Sequence, residues 1–247
     1  MLDSILFVAL PYVALIVFLV GSIYRYKQRG FQVSSLSSQF LEGRTLFFGS
    51  QFFHWGVIFL FLGHLIGFLF PSAVLAWNGS PWRMIIIEWS AFGFALCMLF
   101  GLVVLIYRRL TNKRVQVVTN KMDIVVYILL IVQVISGLAV AYYGQWGSSW
   151  FASVMTPYLR SIFTFSPNPE LVATLTTSNE MLDLMIQTHV VNAFIIIGMI
   201  PFTRFVHFLV APIDYIWRPY QLVYWYWNRK SIRTSRNYFP GKPFKNN

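Results

Sequence analysis

The side chains most able to do chemistry in this 247-residue chain are its four histidines, His54, His64, His189 and His207. Each lies in an apolar run. The stretch "HWGVIFLFLGH" carries His54 and His64, and no charged residue occurs from Phe47 to Phe70. An imidazole withdrawn from water needs a hydrogen-bond partner or a metal. On an ideal helix, the ten-residue spacing of His54 and His64 is a rise of about 15 Å with a change of face of roughly 80°, so the two cannot share one metal ion. His189 and His207, eighteen apart, return to one face after about 27 Å, and they cannot share one either. If the two segments cross a membrane in opposite directions, His54 falls level with His207 and His64 with His189. A b-type haem takes two neutral imidazoles on opposite faces of its macrocycle, so two stacked interhelical pairs would make a two-haem path for electrons. The spacings permit this pairing without proving it, because the rise between ligands differs by about 12 Å on the two helices. Tilted helices, tilted haem planes and a kink at Pro201 are the ways to absorb the difference. Structural hydrogen bonding of the imidazoles is the other reading.

The elements that must position these residues are membrane helices. The chain is 57% hydrophobic, 19% aromatic and 11% charged, far from the roughly 25% charged residues of a soluble domain. About 20 helical residues cross a hydrocarbon core of ~30 Å, and five segments fit: Ile5–Ile23, Phe47–Phe70, Met84–Tyr107, Ile124–Tyr143 and Met181–Val210. The fold class is an all-α integral membrane protein, residues 1–212, with a tail over 213–247. The net charge of +11 is distributed as topology rather than as a nucleic-acid footprint. Arg25, Lys27, Arg29 and Arg44 lie between segments one and two. Arg108, Arg109, Lys113, Arg114 and Lys121 lie between three and four, and seven more cations follow segment five. Only Arg83 and Arg160 fall in the alternate loops. The positive-inside rule therefore places the amino terminus outside and the carboxy-terminal tail in the cytoplasm, with anionic lipid or a partner protein as a second use of the charge.

The first segment lacks a basic start and a small-residue cleavage site, so it is expected to be retained. Cys97, the single cysteine, reads as a small apolar side chain and cannot hold an iron–sulfur cluster. The tail begins with the interfacial mixture "APIDYIWRPYQLVYWYWNRK". The loop from Gly144 to Glu180 either lies along the outer membrane surface or packs as an ordinary loop. Gly49, Gly56, Gly63 and Gly67 would admit a bulky ring to the backbone or simply let helices pack closely. Arg204 could bind haem propionates or snorkel to headgroups. A transporter would want carboxylates in the path; Glu88 and Asp183 are taken as the acids near the spans, both toward the edges.

Beyond this, the sequence resembles the gamma subunit, the dihaem cytochrome b, of membrane-bound respiratory nitrate reductases. The resemblance runs through "LPYVALIVFLVGSIYRY", "SSQFLEGRTLFFGSQFFHWGVIFLFLGHLIG" and "PFTRFVHFLVAPIDYIWRPYQLV", and the histidine spacings are the family's. It implies a five-helix anchor in a prokaryotic inner membrane with two haem b groups. His64 and His189 match the ligands of the outer haem iron, and His54 and His207 those of the inner haem iron. It also implies quinol oxidation beside the outer haem, with electrons passing inward to an iron–sulfur beta subunit and a molybdenum alpha subunit that reduces nitrate. The hard chemistry of nitrate belongs to those partners, and no catalytic residue is assigned here. The family's lysine at the outer start of helix three is Met84 in this chain. Arg83 is then the candidate contact to quinol, in a site bounded by Gly63 and His64, with Trp82 and Tyr142 next in line. Dihaem anchors of nitrite oxidoreductase, sulfite reductase or heterodisulfide reductase type are the nearest alternatives, with a transporter further off. Arg108, Arg109 and the tail from Tyr215 to Lys230 are expected to dock the iron–sulfur subunit.

Overall fold

The computed structural model describes residues 2–29, 41–144, 147–173 and 180–210. The tail over 213–247, with the docking segment assigned to it, lies outside the described residues. Among those described there is no strand, and five helices are long and apolar enough to cross a membrane. They are α1 (Leu10–Arg29), α2 (Arg44–Leu69), α3 (Pro81–Thr111), α4 (Lys121–Tyr143) and α5 (Glu180–Met199). A short α-helical turn and a π-helical turn, Leu2–Ser4 and Ile5–Ala9, lead into α1.

Local chemistry explains the boundaries. Ahead of α2, the Glu42 carboxylate accepts from the Thr45 and Leu46 amides at 2.7 and 3.2 Å, satisfying two of the donors that every helix start leaves orphaned. Pro81 opens α3 where its missing N–H costs nothing. Asn120 and Asp123 form a reciprocal capping box at the start of α4. The fifth segment departs from expectation: α5 stops at Met199, and the chain continues as two 3-10 turns, Ile200–Phe202 and Arg204–Val210. Pro201 cannot donate to the helix ladder, and Thr203 between the turns is extended, with φ −118° and ψ 179°. The carbonyls freed there are taken by α1, whose Arg25 donates to Pro201 O and, at 3.3 Å, to Thr203 O.

Helix α3 packs along α2 on one side and α4 on the other, while α5 packs on α4 and α1. The α2–α3 crossing is close enough to require glycine. A Cβ on Gly56 would meet Met98 N and Phe94 O at 2.7 Å, and one on Gly101 would collide with the Phe53 amide nitrogen. Two buried clusters follow from this arrangement. Met98, Leu102, Leu130 and Val134 join α3 to α4, and Phe7, Ala14, Ile186, Val190 and Phe194 join α5 to the α1 region.

The described part of the loop between α4 and α5 packs onto the ends of the helices. Its helical stretch from Gly147 to Phe163 buries Tyr158 and Ile162 almost completely. Tyr158 donates its hydroxyl to Phe7 O at 2.9 Å, and burial pushes its phenol well above the usual range. Thr156 donates to Gly67 O at 3.1 Å, and Arg160 donates to Phe68 O and Leu69 O at 2.9 and 3.2 Å. These bonds satisfy carbonyls that the C-terminal end of α2 leaves without an intrahelical donor.

Candidate functional site

The four histidines meet as two pairs between α2 and the α5 segment, although these two elements do not pack along each other. The His54 and His207 ring centres lie 6.1 Å apart with planes at 67°, and those of His64 and His189 lie 6.4 Å apart at 26°. With a metal–nitrogen bond of about 2 Å, and about 1.1 Å from nitrogen to ring centre, two axial imidazoles on one metal sit ~6 Å apart. Both separations match. Between His189 and His207 the α-helix gives way after Met199 to two 3-10 turns, with Thr203 extended between them ahead of His207.

The tautomers point the same way. A histidine that ligates through Nε2 has its Nδ1–H held by a carbonyl or carboxylate. His54 Nδ1 lies 2.8 Å from Ser50 O, His64 Nδ1 2.7 Å from Leu60 O, and His207 Nδ1 2.6 Å from Arg204 O. Each partner is three or four residues back on the same segment. His189 is served instead by α4, with Nδ1 3.1 Å from Gln133 O and 3.0 Å from Ser136 Oγ. Gln133 Nε2 also lies 3.0 Å from His189 Nε2, so this amide must swing aside for the ring to ligate. No cluster of three or more histidine, cysteine or acidic side chains able to hold a bare ion occurs among the described residues. The arrangement is therefore two separate two-imidazole sites, and their residue types and spacing fit a haem at each.

The glycines of α2 divide by function. Gly49 and Gly56 face α3, and a Cβ on Gly67 would meet the Phe151 ring at 2.8 Å, so these three serve packing. Gly63 alone of the four has open space where a Cβ would point, beside His64. The Phe151 ring stands edge-on to His64 with centres 5.2 Å apart.

Comparison with known proteins then decides the family. Residues 3–226 match the model of the nitrate reductase gamma subunit. The nitrate reductase gamma chain of Bacillus subtilis (strain 168) is 33% identical over 225 residues, covering 89% of this chain and 97% of its own. The respiratory nitrate reductase 2 gamma chain of Escherichia coli (strain K12) is 31% identical over 220 residues, covering 86% of this chain and 92% of its own. The chain belongs to the nitrate reductase gamma subunit family. As a gamma subunit it is one membrane component of an oxidoreductase complex, with five spans.

Several residues of this gamma subunit have partners that the sequence did not announce. Asp123, omitted from the acids near the spans, is buried in the first turn of α4. Its carboxylate accepts from Arg204 Nε and Nη2 at 2.7 and 3.2 Å and from Arg109 Nη1 at 3.1 Å. The capping pattern Asn120-x-x-Asp123 directly before an apolar run was the available signal. Arg204, read as a propionate ligand or a snorkelling cation, thus ties the 3-10 turn after α5 to α4. Arg108, expected to face a partner subunit, is instead 4% exposed and pairs with Glu42 at 2.7 Å. Arg109 is likewise turned inward, with its guanidinium 5.4 Å from the Tyr127 ring centre. A buried arginine needs an internal anion, and in both cases one lies within reach. Lys113, Arg114 and Lys121 are the exposed cations of this connection.

At the opposite end of the bundle, Met84 is buried with Ser149 Oγ 3.9 Å from its sulfur. Arg83 lies over Trp77, 5.4 Å from the ring centre, and its Nη2 is 3.5 Å from Ala76 O. Arg83 Nε and Asn78 Oδ1 are buried polar atoms with no hydrogen-bond partner among the described residues. Asn78 Nδ2 donates to Ser148 Oγ and Ser149 Oγ, both at 2.9 Å, and Ser148 Oγ lies 3.4 Å from Glu88 Oε1.

Proposed function

We propose that this gamma subunit is a dihaem cytochrome b that oxidises quinol near the outer face and sends the electrons inward to an iron–sulfur subunit and a molybdenum nitrate reductase. The observation that carries the reading is the pair of imidazole ring-centre separations, 6.1 and 6.4 Å, each of which would let both rings hold one haem iron. His64 and His189 would hold the outer haem, and His54 and His207 the inner one. When bound, haem supplies a one-electron iron couple at each level. The residues of this chain engage Nδ1 of each ring, leaving Nε2 as the nitrogen that would ligate. The excess of cations in alternate connections supports an outer amino terminus and a cytoplasmic inner pair.

For quinol, the open flank at Gly63 gives room beside His64. The unpartnered Arg83 Nε and Asn78 Oδ1 offer one donor and one acceptor to a hydroxylated ring, since buried polar groups seek partners. Glu88 is linked to Asn78 through Ser148. At the other end, Lys113, Arg114 and Lys121, rather than Arg108, are the cations available to a cytoplasmic subunit.

The test is haem counting by redox-titrated visible spectra of four single variants in membranes. Replacing His64 or His189 by alanine should remove mainly the outer haem, and replacing His54 or His207 mainly the inner one. Loss of haem in the pairs His54 with His64 and His189 with His207 would overturn the assignment.

A further inference from the structure

We infer that α4 carries a notch, formed by Gln133, Ser136 and Gly137, that seats His189 and fixes the orientation of the outer axial ligand. The inference rests on the dihaem reading above and assigns positioning residues on a helix that contributes no ligand. His189 takes its Nδ1 partners from α4, whereas His54, His64 and His207 each use a carbonyl of their own segment. The ring presses against α4 at Gly137, where a Cβ would lie 2.9 Å from its Cε1 and 3.3 Å from its Nδ1. Any larger residue there must displace the imidazole.

A carbonyl can only accept, so the contact with Gln133 O makes His189 Nδ1 the donor. Ser136 Oγ donates to Val132 O at 2.7 Å, so its lone pairs are left to accept from His189 Nδ1–H. Asn192, one turn beyond His189 on α5, donates to Gln133 Oε1 at 2.7 Å and to Leu129 O at 2.9 Å. Those bonds join α4 to α5, while the part of Gln133 that seats the ring is its backbone carbonyl, 3.1 Å from Nδ1; its side-chain amide, 3.0 Å from Nε2, swings aside when the ring ligates. Ser136 and Asn192 are 2% and 5% exposed, so water cannot replace a lost partner cheaply. A bundle that needed only to join α4 to α5 could use the Asn192 bonds alone. The hydroxyl and the bare glycine Cα are directed at the imidazole itself. Holding Nδ1–H raises the basicity of a ligating imidazole and fixes its plane.

The experiment uses the whole complex in native membranes, with redox-titrated visible spectra and haem content as readouts. Ser136→Ala removes one acceptor from Nδ1–H, making the ligand less basic, so the midpoint potential of the outer haem should shift upward with two haems retained per chain. Ser136→Thr keeps the hydroxyl and should restore the wild-type potential. Gly137→Ala should displace the ring and weaken or abolish outer-haem binding while the inner haem persists. If both alanine variants retain two haems with wild-type potentials and spectra, or if the inner haem responds instead, the notch has no such role. A wild-type complex lacking haem would overturn the underlying dihaem reading as well, and haem content of the unmutated complex separates that failure from failure of the notch alone.

Discussion

Replacing Asp123 by alanine should unseat one end of the bundle. The Asp123 side chain is 7% exposed, and its partners Arg109 and Arg204 are 13% and 27% exposed. Removing the carboxylate leaves two guanidinium groups that water reaches only in part. Breaking a buried ion pair by deleting one partner costs about 3–5 kcal/mol. The partial exposure of Arg204 argues for the lower end, about 3 kcal/mol, or more than a hundredfold in the unfolding equilibrium at ~1.4 kcal/mol per decade. The loss also reaches the inner histidine pair. Arg204 is held to Asp123 through its side chain, and its backbone carbonyl accepts from His207 Nδ1. Unfolding in mixed micelles with increasing denaturing detergent would measure the stability, and visible spectra of the same samples would follow haem. The inner haem should be lost first. Arg204→Leu combined with Asp123→Ala should cost less than the sum of the single changes, because the two residues share one interaction. An Asp123→Ala protein that unfolds within about 0.5 kcal/mol of the parent, with both haems intact, would refute the reasoning.

Other perturbations test other parts of the structure. Gly101→Ala puts a methyl group against the Phe53 backbone and 2.7 Å from Gly49 O; overpacking of this kind costs about 1–3 kcal/mol, to be read as a lowered unfolding midpoint in micelles. Burial raises the Glu42 carboxyl, but bonds from the Thr45 amide, Arg108 and the Leu46 amide outweigh it and hold its pKa at about 2 against 4.5. The folded-state pKa is depressed, so the Glu42 contribution is full above about pH 4.5 and is lost as pH falls through about 2. Glu42→Gln should flatten the acid side of a Tm-against-pH series, and an unchanged slope would count against the pairing. Arg83→Ala should slow haem reduction by quinol while leaving haem content and dithionite reduction unchanged; wild-type quinol rates would pass the role to Trp82 or Tyr142. Truncation after Val210 should release partner subunits from membranes that keep both haems, and retention of the complex would remove the tail from the docking surface.

The five spans were legible because lipid imposes one requirement on every position of a crossing helix, and composition alone records it. Segment two, expected over Phe47–Phe70, forms over Arg44–Leu69, since its ends are set by the Glu42 cap and by Pro71 rather than by hydropathy. Side-chain partners were harder to read. Arg108 and Arg109 look alike as loop cations, yet one finds Glu42, 66 residues away in sequence, and the other finds Asp123, 14 away. Nothing local distinguishes a cation that faces a partner subunit from one that closes its own bundle. The packed loop between α4 and α5 was ambiguous for a related reason. Its amphipathic stretch suits either headgroups or the ends of α1 and α2, and the choice falls to long-range bonds such as that from Tyr158 to Phe7 O.

The mismatch in ligand spacing shows how local chemistry and helix geometry combine. A straight fifth helix would carry His207 about 12 Å too far along its axis for both pairs to close against α2. Pro201 removes a donor from the ladder, and the resulting break exposes carbonyls that an apolar bundle cannot leave unpaired. Arg25 of α1 satisfies two of them, while Asp123 of α4 holds Arg204 just beyond the break. The cost of interrupting the helix is thus met around two cations, Arg25, which also reads as a membrane-topology signal, and Arg204. Their second use is to set where His207 points. A straightening substitution at Pro201 would be expected to separate His207 from His54 even though it restores a backbone hydrogen bond, and Pro201→Ala should therefore lose inner haem without losing the span. Retention of both haems at wild-type potentials in that variant would mean that the tilt of the helices, rather than the break, reconciles the two spacings.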